Sequence, residues 1–266
     1  MKKLIPLLLS FISLSGNAAE RQFDVEMIIF KRAVDPDSLQ ESWPNQPPAI
    51  DLSQAALLQN SDYLEAKGVT LLSPSEYQLA EQEKQLEQHA GYNVLVHTAW
   101  RQGDEAKGHS PVFHILAGHD YSGNYAVDGR EKSTNILTGS DTGISDVQEQ
   151  SIDNPLYELD GKLQVYVQHY LFLEADLDLK SPGIREVTLE DKPLDLTTDP
   201  ADENTTVQFG HLESVSPTIQ VEHFLKSYRM SQKRRMRSGE IHYLDHPLMG
   251  IIIQVRKAEE AEQTES

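Results

Sequence analysis

The residues best suited to chemistry lie near the carboxyl end. Arg229, Lys233, Arg234, Arg235 and Arg237 crowd five cations into nine positions of a chain whose formal charge is −19. On an extended strand Arg229, Lys233, Arg235 and Arg237 share one side. Guanidinium forks and ammonium groups in that pattern suit carboxylates or phosphates. The same pattern also serves a strand that resists edge-to-edge pairing, or one whose charges are met by acidic residues from elsewhere in the chain. All three readings stand on the residues alone. Ser238-Gly239 is a two-residue loop of the tight β-turn kind. It predicts Arg237 opposite Glu240, Arg235 opposite His242 and Arg234 opposite Tyr243, with Met236 and Ile241 meeting on a buried face.

Other candidate chemistry thins out on inspection. His242, Asp245 and His246 are metal-ligand types. A strand places Asp245 on the face opposite the two histidines, and Pro247 ends the ladder, so a structural turn is expected and no metal. His114 and His119 face opposite ways on a strand, and His169 on an apolar face reads as a satisfied core residue. Residues 120–131 loosely echo a calcium loop, but Tyr125 stands where the turn requires Gly. No nucleophile-elbow, zincin, Walker or dinucleotide fingerprint occurs. The chain has no Cys, which excludes a thiol nucleophile. Neither an enzyme nor a cofactor is expected. Tyr166, Tyr170 and Phe172 share one side of a strand with Gln164 and Gln168 between them. They offer either a stacking surface for sugar rings or a second packing face beneath a helix or loop.

These groups need strands to hold them. Phe23, Val25, Met27 and Ile29 alternate with Asp24 and Glu26, a half-buried strand whose second half is apolar on both faces and suits a sheet centre. Residues 51–59 are a short helix candidate. Ser73-Pro74-Ser75-Glu76 is a capping box with Pro at the first helical position, which predicts a surface helix over 74–89. Strands are expected at 92–101 and 111–119, joined by a Gly/Asp/Lys-rich turn. From 163 to 179 every odd position except His169 is apolar, and a period of two held that long predicts one extended strand. Residues 120–160 and 181–206 read as polar loops, 249–255 as a buried strand and 258–266 as an acidic tail.

The amino end has a different character. Lys2 and Lys3, an apolar run over 4–14 and Gly16-Asn17-Ala18 have the form of a secretion signal cleaved after Ala18. The run is too short to span a bilayer, so no transmembrane anchor is expected. An exported chain without Cys must stand on its core alone. Removing Lys2 and Lys3 takes the formal charge from −19 to −21. Such acidity argues against nucleic acid or anionic lipid as a general partner.

Taken in order, these segments resemble the CsiV family of periplasmic peptidoglycan-binding proteins. The resemblance is carried by Phe23-x-Val25-Glu26-x-Ile28-Ile29-Phe30-x-Arg32 with Trp43-Pro44 after it. Gly91-Tyr92-x-Val94-Leu95-x-His97-x-x-Trp100-Arg101-Gln102 adds to it. The most specific match is Arg234-Arg235-Met236-Arg237-Ser238-Gly239-Glu240-Ile241-His242-Tyr243-Leu244-Asp245-His246-Pro247. The stretch from Gly161 to Leu177 is similar to the family's long strand, with His169-Tyr170-Leu171-Phe172 where the family has Arg-Tyr-Leu-His. The resemblance implies a non-catalytic periplasmic accessory factor that binds peptidoglycan and supports cell-wall synthesis. It also implies a protein partner, a peptidoglycan synthase or its activator. Rival readings are a peptidoglycan hydrolase with an unfamiliar site, or an adaptor for lipopolysaccharide or another periplasmic protein. On the family reading, Arg229, Lys233, Arg235, Arg237, His242 and Tyr243 are the expected peptidoglycan-binding residues. The expected architecture is one α+β domain over 19–257, mainly an antiparallel sheet with long strands, a C-terminal hairpin and a covering helix.

Overall fold

The alternating segment at the amino end forms β1 (Gln22–Arg32), followed by β2 (Ala56–Leu57), α1 (Ser61–Ala66), β3 (Thr70–Leu71), α2 (Ala80–Gln88), β4 (Tyr92–Gly103) and β5 (Val112–Asp120). The rest is strand: β6 (Tyr157–Gln168), β7 (Tyr170–Leu189), β8 (Thr218–Met236), β9 (Ile241–Asp245) and β10 (Met249–Lys257). This computed structural model describes residues 21–45, 47–132, 155–189 and 218–258. The α+β class and the dominance of antiparallel strands are as the sequence predicts, but the strands form two sheets rather than one. The first runs β3-β4-β1-β10-β9 and the second β2-β5-β6-β7-β8. β4 and β5, expected as a joined pair, belong to different sheets.

The two sheets share one core. Val25, Met27 and Ile29 from β1 and Ile251, Ile253 and Val255 from β10 join Phe113, Leu163, Leu173, Leu177 and Met230 in a single buried cluster. Trp100 meets Phe113 edge-on, with ring centroids 4.9 Å apart. Each such side chain, fully buried, contributes about 1.5–3 kcal/mol. β1 is apolar on both faces because its outer face is covered too: Ile28 and Phe30 pack under Leu79 and Leu86 at α2. Glu26, on that outer face, is fully buried. Its carboxylate accepts the Gln78 and Leu79 N–H groups at 2.7 and 2.8 Å, supplying the acceptor that a helix start lacks.

That contact explains one departure from expectation. The Ser73 capping box forms, yet it opens only a single 3-10 turn, Pro74–Glu76, and α2 starts six residues after the expected position, where Glu26 caps it. Residues 51–59 likewise are not a helix. Ala56 and Leu57 bridge in parallel to β5, and helix waits for Asn60, whose side chain accepts the Tyr63 N–H at 3.1 Å.

The long alternating segment is a hairpin, not one strand. β6 and β7 fold back at His169, which adopts φ 62° at the tip and is exposed rather than in the core. Val167 pairs with Leu171, Leu163 with Ala175 and Leu159 with Leu179. Odd residues therefore pair with odd, and the period of two passes through the turn without a change of phase. β7 continues to Leu189, paired throughout with β8, so the polar segment expected from 181 begins as strand. The segment after β5 is also structured at its ends, where Tyr125, Leu156 and Leu225 form a small cluster. The remainder of both expected loops, the secretion signal and the acidic tail from 259 onward lie outside the described residues.

The chain does not form a ladder across Ser238-Gly239. β8 pairs with β7 and β9 pairs with β10, so this turn carries the chain from one sheet to the other. Met236 is buried as expected, whereas Ile241 is 49% exposed. The crossing lets Met236 on β8 and Leu244 on β9 reach the same core from opposite sheets. The C-terminal hairpin is β9–β10, turning at 246–248.

Candidate ligand-binding face

The outer face of the second sheet is where the basic strand lies. The odd side chains of β8 emerge beside the even side chains of β7, in register. Arg229 stands opposite Asp178, Ser231 opposite Asp176, Lys233 opposite Glu174 and Arg235 opposite Phe172. Two of these four pairs set an acid of β7 against a base of β8, Asp178 against Arg229 and Glu174 against Lys233. Arg229 holds Asp178 with a two-pronged contact of 2.8 and 2.7 Å. Those hydrogen bonds raise the guanidinium pKa further above its ordinary value. Ser231 donates to Asp176 at 2.5 Å.

Glu174 is the centre of the face. It accepts from Lys107 at 2.5 Å and from the Tyr166 hydroxyl at 2.8 Å, and pairs with Lys233 at 3.1 Å. Burial pushes its pKa up, but the hydrogen bonds from Lys107, Tyr166 and Lys233 outweigh this and bring it to about 2. Tyr166 is fully buried beneath this cluster and stacks on Phe172 at 5.5 Å. It is a packing residue, not a stacking platform. Lys233 sits 5.1 Å above the Phe172 ring, and Arg235 4.6 Å from the Tyr170 ring. Tyr170, 56% exposed, is the aromatic ring of this face most open to a ligand.

A cleft of about 540 Å³ opens beside Glu174, walled by α1, the 104–111 connection and β6–β7. Its floor is Gln164, whose amide donates to the Lys107 carbonyl at 2.7 Å and to the Ser110 hydroxyl at 2.8 Å. The Tyr63 hydroxyl accepts the Val112 N–H at 2.8 Å and ties α1 to β5.

The six expected residues do not form one patch. Arg229, Lys233 and Arg235 share the face just described. Arg237 pairs at 3.5 Å with Glu240 in the crossing turn, and His242 accepts the Arg237 N–H at 3.0 Å there. Tyr243 lies on the outer face of the first sheet, where it accepts from Arg32 at 2.5 Å, donates to Asp245 at 2.8 Å and stacks on Phe30. Burial raises the Tyr243 pKa. His246 is buried against Trp43 and takes the Leu248 N–H at 3.2 Å, and burial lowers its pKa. Lys107, Glu174 and the cleft residues escape sequence reasoning because they come from separate elements and share no motif. The one signal pointing to them is the acidic even side of β7 set against the basic odd side of β8.

The two-sheet scaffold thus presents fixed charges of both signs beside an exposed ring. The chain belongs to the CsiV family, described as peptidoglycan-binding proteins, whose family model matches residues 2–258. No curated protein and no solved structure matches it. Among the described residues no helix is long and apolar enough to cross a membrane.

Proposed function

We propose that this protein is a non-catalytic periplasmic accessory factor that binds peptidoglycan and supports cell-wall synthesis, partnering a synthase or its activator. Family membership supports the ligand, and one observation supports the place: the in-register face of β7 and β8, edged by Tyr170 and Arg235. Peptidoglycan joins sugar rings to peptides that bear both carboxylates and amines. A face of alternating charge with an open ring is complementary to such a polymer, whereas a purely basic patch suits a simple polyanion. Lys233, Arg235 and Arg237 are the proposed ligand contacts, with Tyr170 and Phe172 under a sugar. Arg229, His242 and Tyr243 are engaged by the fold and are proposed as supporting residues.

Co-sedimentation with purified sacculi tests this. The full chain should pellet with sacculi and release no soluble fragments. Fragment release would replace the reading with that of a hydrolase, and failure to pellet would leave an adaptor for another periplasmic component.

A further inference from the structure

The cleft beside Glu174 carries four charges that make no close ion pair among the described residues, although Lys162 favours the charged form of Asp51, and Asp176 that of Arg229, at longer range. Lys107 and Lys233 share Glu174. Lys67 and Lys162 hydrogen-bond to carbonyl oxygens, Lys67 to His109 at 2.8 Å and Lys162 to Asp51 at 2.7 Å, and Lys67 also lies 6.0 Å from the Tyr63 ring centroid. A carbonyl accepts a hydrogen bond without cancelling the charge. Asp176 accepts from the Ser231 hydroxyl and Asp51 from the Ser53 N–H at 3.0 Å, and neither contact is with a cation. Among the described residues none of these four charges is in an ion pair. Lys162 and Asp176 are directly opposite each other on β6 and β7, yet Lys162 turns away to the Asp51 carbonyl. The cleft therefore presents two cations and two anions against a floor and wall that hydrogen bonds hold in place. Its volume of about 540 Å³ falls in the range of small-ligand sites.

We propose that this cleft takes the end of a short peptide bearing both carboxylate and amine, with Lys67 and Lys162 on the carboxylates and Asp51 and Asp176 on the ammonium. This rests on the peptidoglycan reading, in which the stem peptide enters the cleft while the glycan lies on the adjoining face. Lys107 joins the two regions, since its ammonium touches Glu174 and also lies 5.7 Å from the Tyr166 ring.

The test is calorimetric titration of the full chain with a soluble wall stem tripeptide whose amino terminus is capped as it is in the wall, the same peptide acetylated also at the side-chain amine of its diamino acid, and an all-L tripeptide of the same charges. The stem tripeptide should bind, and acetylation should weaken it. K67Q/K162Q, which keeps amide donors for the two carbonyls, should weaken the free tripeptide about tenfold, as expected for the loss of two partly exposed ion pairs. D176N should abolish the sensitivity to acetylation. Equal affinity for the all-L peptide would assign the cleft to periplasmic peptides in general. Unchanged peptide affinity in folded K67Q/K162Q, or no effect of acetylation on the wild type, overturns the proposal without need of any further variant. Sacculus sedimentation, run in parallel, separates the two levels. Binding of sacculi without binding of free peptide removes the cleft and leaves the peptidoglycan reading. Binding of peptide without binding of sacculi does the reverse.

Discussion

Arg229 grips Asp178 at both oxygens, Nε to Oδ1 at 2.8 Å and Nη2 to Oδ2 at 2.7 Å, while Nη1 reaches the Pro48 carbonyl at 2.5 Å. All three nitrogens are thus used by the fold, and the residue that opens the basic run is a brace between β7, β8 and the 47–51 segment. Arg229→Ala would strand Asp178, which is only 9% exposed. The expected cost is about 2–3 kcal/mol, the scale of a lost charge-assisted hydrogen-bond pair. Urea denaturation measures it, and Arg229→Lys should recover part of the loss. Sacculus binding by the folded fraction should be unchanged. A loss of binding with full stability would make Arg229 a ligand contact instead.

A second brace sets a pH dependence. Glu26 is fully buried, and burial alone would raise its pKa. Hydrogen bonds from His97, the Gln78 N–H, Arg256 and the Leu79 N–H outweigh burial and hold it at about 2. A carboxylate lowered in the folded state contributes stability that is present above about pH 4.5 and lost as pH falls toward 2. His97 lies between Glu26 at 3.0 Å and Glu83 at 2.8 Å. Burial lowers its pKa, but the hydrogen bonds to those two carboxylates prevail and raise it above the ordinary histidine value of about 6.5. Its contribution is complete below that value and fades as pH rises through the raised one. Glu26→Gln should therefore flatten the acid limb of stability and destabilise by about 3–5 kcal/mol near neutrality, because Arg256 and His97 lose their buried partner. Denaturant midpoints across pH check both. An acid limb as steep as the wild type's would show that Glu26 is not the titrating group.

How much of this was legible in the sequence depends on whether the signal is local. β1, β4, β5 and β10 follow from alternation and from apolar runs, and the Ser73 capping box is where the sequence places it. What fails is pairing across distance. The 163–179 segment reads as one strand because a turn centred on His169 preserves parity, so alternation carries no trace of it. The 238–239 loop reads as a hairpin because its type fits one. Yet β8 pairs with β7 instead, where Arg229 meets Asp178 and Lys233 meets Glu174 along the outer face and Met230 meets Leu177 along the inner. The basic residues were legible, but their neutralisation was not, since Asp178 lies 51 positions from Arg229 in sequence. The cleft, assembled from α1, β6, β7 and a connection, leaves no pattern at all.

The His169 turn makes a sharp stability prediction. A non-glycine residue at φ 62° carries a steric penalty of roughly 1–2 kcal/mol that glycine avoids. His169→Gly should raise the melting temperature slightly, and His169→Val should lower it, because a β-branched residue fits that region worse. If Gly destabilises as much as Val, the histidine side chain itself is holding the hairpin.

The last prediction concerns the ligand face. Of Arg229, Lys233, Arg235 and Arg237, only Arg235 has no carboxylate partner among the described residues; it rests instead on Tyr170. Its charge is the one most available to a ligand, and Tyr170 is the ring beside it. Arg235→Ala combined with Tyr170→Ala should weaken sacculus binding about tenfold, from a charge contact of about 0.2–1 kcal/mol and a ring contact of similar size. Reversing Lys233, Arg235 and Arg237 to Glu together should weaken it further, since three repulsions replace three attractions. Wild-type binding should decline only gently as salt rises from about 50 to about 300 mM, because exposed charges are screened but the face attracts through both signs and through a ring. A steep decline would point to a simple cationic patch, with the β7 carboxylates displaced on binding. Undiminished binding by the folded triple variant would remove this face from the site and leave the cleft as the place to look.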